Sequence, residues 1–107
     1  MRTNLLAIAV GALCLSGSVA QPVAANPIER ACAQSERPGV SPSICRCIGD
    51  AARLTLSPSD MREGARFFRD PARAQDIQLS DTPRNDAFWS RWQEFGKTAE
   101  AFCNQAS

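Results

Sequence analysis

Five cysteines and a run of arginines are the residues best equipped for chemistry in this chain of 107 residues. Cys45-Arg46-Cys47 brings two thiols close together, which would suit thiol–disulfide exchange or capture of a soft metal ion. Redox dithiols of the thioredoxin type use a Cys-x-x-Cys spacing in a βαβ setting, and this chain has neither. Arg62, Arg66 and Arg69 recur at i, i+4, i+7 and form a candidate anion site, guanidinium forks along one helix face for carboxylates or phosphates. Solvation beside local partners such as Asp70 is the plainer use of the same three side chains. His is absent, which removes imidazole general bases, Ser-His-Asp and Cys-His pairs, and His metal ligands. Asp50, Asp60, Glu94 and Glu100 show no spacing that singles out a carboxylate pair for acid–base work. We therefore expect no enzyme, no cofactor and no metal site.

The start of the chain bears on where these residues work. Arg2 precedes an apolar stretch from Leu5 to Leu15, followed by the small residues Ser16-Gly17-Ser18-Val19-Ala20. That is the pattern of a secretory signal peptide, residues 1–20, with an alternative end at Ala25 after Val23-Ala24. The apolar run of about 11 residues is too short to span a bilayer. Cleavage would leave about 87 residues, one domain over 21–107, in the periplasm. It would also remove Arg2, so that 12 basic residues fall to 11 against 11 acidic ones. A chain so balanced lacks the basic excess of a nucleic-acid binder, and no transmembrane segment would remain.

Cys14 leaves with the leader, and four cysteines stay: Cys32, Cys45, Cys47 and Cys103. An even number in an oxidising compartment is what a disulfide framework requires. The periodicity is helical throughout, predicting an all-α domain of three main helices plus short ones. Asn26 and Pro27 open a short first helix to Gln34. Ser41-Pro42 opens a second, running to about Leu56, with Ile44, Cys47, Ile48, Ala51 and Thr55 as its buried face. At about 100° per residue, Cys45 and Cys47 lie roughly 200° apart, so they diverge and should not bond to each other. One should reach Cys32 and the other Cys103, with the pairing left open.

A third helix starts at Ser57-Pro58 with Met61, Gly64, Ala65 and Phe68 inward, and residues 71–79 add a short one capped by Asp70 that carries Ile77 inside. The last, about 84 to 104, aligns Phe88, Trp92, Phe95, Ala99 and Phe102. Gly64 and Gly96 are candidate points of close helix approach. Phe67 and Trp89 stand off or at the edge of their stripes and are the candidate partner contacts. A domain of about 87 residues buries only about 60–65% of its unfolded surface, so its core alone is marginal. Loops of about 14 and nearly 60 residues closed by the two disulfides would add about 3 and about 4 kcal/mol.

Several strings carry a resemblance to a known group: Ala31-Cys32, Ile44-Cys45-Arg46-Cys47-Ile48, Leu54-Thr55-Leu56-Ser57-Pro58-Ser59-Asp60, Ala65-Arg66-Phe67-Phe68-Arg69-Asp70-Pro71, Ala74-Gln75, Ser80-Asp81, Ala87-Phe88-Trp89 and Phe95-Gly96-Lys97-Thr98-Ala99-Glu100 with Cys103. Over residues 31–103 the chain resembles short secreted cysteine-containing proteins of marine and related alphaproteobacteria, of Rhodobacteraceae type, often labelled "arginine transporter". The resemblance carries no catalytic residues. It implies at most an accessory role in a transport system, because so short a chain is too small for a two-lobed solute-binding protein. The residues themselves point to a small periplasmic, non-enzymatic binding protein for a protein partner or small ligand. An arginine-transport accessory and a thiol-redox or metal carrier using Cys45 and Cys47 are the alternatives.

Overall fold

A computed structural model describes residues 24–104 and Gly11. The expected leader, residues 1–20, lies outside the described residues apart from Gly11. The described residues form five helices and no strand: α1 (Pro27–Gln34), α2 (Pro42–Thr55), α3 (Pro58–Phe67), α4 (Pro71–Gln78) and α5 (Pro83–Cys103). No helix among them is long and apolar enough to cross a membrane.

Every helix has proline in its first turn, where the fixed φ suits the helix and the missing N–H would have had no helical partner. Four of the five also have a side-chain cap. Asn26 Oδ1 accepts from Glu29 N–H at 2.9 Å and Ser41 Oγ from Ile44 N–H at 3.1 Å. Ser57 Oγ and Thr82 Oγ1 do the same for Asp60 and Asn85, each at 3.2 Å. The exception is α4, because Asp70 makes no side-chain cap hydrogen bond. Its backbone, at φ −138° and ψ 82°, departs from the extended conformation of the other four caps. The cap expected there is corrected accordingly, although Ile77 is buried as expected.

α2 packs against both α1 and α5, α1 also lies on α3, and α4 bridges α3 and α5. One core cluster joins Ile28, Ala51, Ala52, Leu56, Met61 and Phe95, and a second joins Phe67, Ile77 and Phe88. Trp92 packs against both, so its ring ties the two clusters together. It makes edge-on contact with Phe67, centroids 5.1 Å apart, and tilted contact with Phe95 at 4.9 Å. Aromatic pairs of this kind add about 0.5–1.5 kcal/mol each beyond the area they bury.

The buried face of α2 is rotated from the expected one. Cys45, Gly49, Ala51 and Ala52 are buried, with Leu56 beyond them, whereas Ile44, Cys47, Ile48 and Thr55 are only half-buried. The cause is close approach by α1: a Cβ on Gly49 would sit 2.9 Å from Glu29 Cβ, and Asn26 Nδ2 donates to the Gly49 carbonyl at 2.8 Å. Small residues let backbones meet, so the contact follows Gly49 and Ala52 instead of the larger aliphatic side chains.

The thiols form two disulfides, Cys32–Cys45 and Cys47–Cys103, with Cα atoms 5.4 and 5.7 Å apart. Cys45 takes the α1 side of α2 and Cys47 the α5 side, which resolves the pairing left open by spacing. Phe102, expected in the buried line of α5, is 64% exposed. Cys103 is turned to α2 by its bond, and a neighbour about 100° away on the last turn points elsewhere. Gly96 is exposed with nothing near its Cα face, so of the two glycines named from sequence only Gly64 is a close approach.

Candidate functional site

α1 and α3 lie side by side and leave a groove of about 700 Å³ between them. From α1 and the residue after it come Pro27, Arg30, Ala31, Gln34 and Ser35, the i, i+3, i+4, i+7, i+8 side of one helix. From α3 and its C-terminal turn come Arg62, Ala65, Arg66, Phe68 and Arg69. The three arginines singled out by spacing therefore share one wall. Arg30, which spacing on α3 alone had no means of finding, faces them from the other. Its signal in the sequence lay in α1: Ile28 and Cys32 mark the buried side of that helix, and Arg30 falls between them on the outer side.

The charge at this groove is unbalanced. None of the ten lining residues is acidic. Arg62 and Arg69 make no ion pair among the described residues, and Arg30 donates only to the backbone carbonyl of Ala25. Arg66 is held by Glu63 at 3.2 Å, an exposed i,i+3 pair of the kind worth a few tenths of a kcal/mol. Arg37 adds a fifth guanidinium at the rim, 6.0 Å above the centroid of the Phe68 ring. Arginine makes up 11 of the 12 basic residues of the chain. Its rigid fork is the form of positive charge suited to planar, bidentate recognition of oxyanions.

A second cleft, of about 680 Å³, opens on the far side of Arg62 and Arg66, toward α4 and α5. Its two carboxylates, Asp60 and Glu63, are already gripped, while Arg84 on its wall makes no ion pair among the described residues. Arg91 grips Asp60 through Nε at 2.7 Å and Nη2 at 3.0 Å, and Arg73 grips Glu63 through Nε at 2.9 Å and Nη2 at 3.1 Å. The Asp60 carboxyl is held below the usual aspartate range, first by the Arg91 hydrogen bonds, with burial opposing. The Arg91 and Arg73 guanidiniums are correspondingly pushed up by Asp60 and Glu63. Sequence reasoning missed Asp60, because its partner lies 31 residues away and no local pattern announces it.

The other residues proposed from sequence fall elsewhere. Cys45 and Cys47 are each bonded to a distant cysteine and do not face each other as a dithiol. Phe67 is corrected: it is only 7% exposed, with Phe88 against its ring at 5.9 Å. The last turn of α3 is covered by α4 and α5 together, so a residue off the main stripe is still buried. Trp89 is half-buried and packs beside that same cluster. Comparison of the chain with protein-family models, with curated proteins and with solved structures found no match in any of the three.

Proposed function

We propose that this chain is a non-enzymatic binding module, delivered to the periplasm by its leader and braced by two disulfides, that recognises an anionic ligand or partner at the α1/α3 groove. In this reading α2, α3 and α5 are the main helices and α1 and α4 the short ones that shape the two clefts. The observation that carries it is the convergence of Arg30, Arg62 and Arg69 on one groove whose lining contains no carboxylate. Charge without an internal partner favours an external one, since a guanidinium facing a carboxylate or phosphate gains charge-assisted hydrogen bonds at no desolvation cost to a buried neighbour.

The resemblance to proteins labelled as arginine transporters would ask for a place to seat a guanidinium. The groove has no carboxylate to pair with a guanidinium, and the carboxylates of the second cleft, Asp60 and Glu63, are occupied by Arg91 and Arg73. A thiol-redox role would ask for a free or readily opened Cys45/Cys47 dithiol, and Cys45 is buried in its bond to Cys32. The binding reading is tested by titrating the oxidised protein with phosphate, acetate and free arginine while following the arginine Nε–Hε resonances. Movement of Arg30, Arg62 and Arg69 with the anions, and not of Arg46 on α2, is the expected result. Unmoved groove resonances with every anion would remove the proposal, and a response to free arginine that acetate does not produce would favour the transport reading.

A further inference from the structure

We infer that the occupant of the groove is an extended acidic segment of a partner protein, with carboxylates on alternate residues; this rests on the anion-binding reading above. The spacing of the arginines selects that shape. Arg62 and Arg66 are one four-residue step apart on α3, a rise of about 6 Å. In an extended peptide, side chains at i and i+2 emerge on the same side about 6.6 Å apart. Successive carboxylates on one side of such a strand therefore meet successive arginines on one side of the helix. Arg69, in the turn just after α3, lines the same groove and offers a further guanidinium for the next carboxylate. Arg30 closes on the segment from the opposite wall.

The rest of the lining suits a peptide backbone. Pro27, Ala31 and Ala65 put small apolar groups between the two arginine-bearing walls, so a main chain can lie low while its carboxylates reach outward. Gln34, exposed on α1, adds an amide donor and acceptor for peptide groups. The groove's volume of about 700 Å³ is far more than a single phosphate or acetate would fill. The weak pair between Arg66 and Glu63 is exposed, and an incoming carboxylate exchanges with it at little cost.

A single-stranded nucleic acid has phosphates at comparable spacing, but it also needs open aromatic faces on which bases stack. Here Phe68 lies half-buried beneath Arg37, and Trp89 and Trp92 pack with the inner clusters. An anionic lipid surface is disfavoured by shape. The large exposed apolar residues Val40, Leu54, Leu79 and Phe102 are none of them in the groove lining, so nothing apolar stands ready to insert beside the arginines.

The test uses the full oxidised chain and fluorescence anisotropy with labelled probes: a peptide of alternating Glu and Ala, a peptide of the same composition with its Glu residues in one block, and an oligothymidylate. The alternating peptide is expected to bind about ten-fold more tightly than the blocked one, and Arg62→Gln with Arg69→Gln should weaken it by at least about ten-fold. Arg46→Gln, on the exposed side of α2 and outside both clefts, should leave binding unchanged. Equal binding of the two peptides, or tighter binding of the oligothymidylate, overturns the inference while leaving an anion site in place. No binding of any probe, together with unmoved arginine resonances under phosphate and acetate, overturns both.

Discussion

Trp92 of α5 lies against the backbone of Gly64 in α3, so close that a Cβ there would sit 2.7 Å from Cη2 and nearer still to Cζ3. Glycine in the middle of a helix costs about 1 kcal/mol relative to alanine, so propensity alone predicts that Gly64→Ala stabilises α3. Packing predicts the opposite. The indole is in contact with both Phe67 and Phe95 and joins the two core clusters, so moving it aside disturbs both. Overpacking of this kind costs about 1–3 kcal/mol. Gly64→Ala is expected to lower stability by about 1 kcal/mol net in urea unfolding, with altered tryptophan emission in the native state; a gain in stability would show that the ring moves freely.

The fork between Arg91 and Asp60 governs acid sensitivity. Asp60 is 7% exposed at its side chain while Arg91 is 47% exposed, so the pair is worth less than a fully buried one. Asp60→Asn is expected to cost about 2 kcal/mol at pH 7. The sign with pH follows from the lowered pKa of Asp60. A carboxyl whose folded value lies below its unfolded value stabilises fully above about pH 4, and that contribution is lost as pH falls through the lower folded value. The gap between the native chain and Asp60→Asn should therefore close in acid, as read from urea midpoints across a pH series. A gap that stays constant down to pH about 2 would mean that Asp60 is not held by charge.

Much of the helical plan was readable because its signals are local. A capping Asn or Ser followed by proline marks the starts of α1, α2 and α3, and the expected starts of α4 and α5, at residues 71 and about 84, fall within a residue of Pro71 and Pro83. The facing of α2 was less readable, since hydrophobicity weights Ile44 and Ile48 while the helix meets α1 through Gly49 and Ala52, where absence of side chain is the attraction. The burial of Phe67 and Asp60 depends on α4 and α5, elements brought over by the fold. For the candidate site, one wall was legible as the i, i+4, i+7 arginines of α3 and the turn after it; Arg30 could be read as an outward residue of α1, but its place opposite them could not, because nothing local says that α1 lies alongside.

The two disulfides differ in access. Cys32 and Cys45 are 1% and 2% exposed, while Cys47 on α2 and Cys103 at the last turn of α5 are half-buried. Mild phosphine reduction followed by alkylation and peptide mapping should label Cys47 and Cys103 before Cys32 and Cys45. Their separations of 13 and 56 residues predict losses of about 3 and about 4 kcal/mol when each bond is removed by paired Cys→Ser changes. The long-loop bond thus opens first although it constrains the unfolded chain more. Simultaneous labelling of all four thiols would show that opening is global instead of local.

Arg62 separates a folding role from a binding role. It sits in the interior of α3, exposed, and its i+4 neighbour is Arg66, a like charge that destabilises a helix by a few tenths of a kcal/mol. No carboxylate bonds to it among the described residues. Arg62→Gln is therefore expected to raise Tm by about 1–2 °C at low ionic strength, and salt near 1 M, where the screening length is about 3 Å, should erase the gain. Arg91→Gln is the contrasting change, because it strips the buried Asp60 carboxylate of its fork and should lower Tm at any salt concentration. A guanidinium whose removal stabilises the fold is not there to hold the fold together, and its place beside Arg66, Arg69 and Arg30 in a groove without carboxylates favours work done on something outside the chain. A fall in Tm for Arg62→Gln comparable to that of Arg91→Gln would instead make Arg62 a structural residue and take away the main support for the groove.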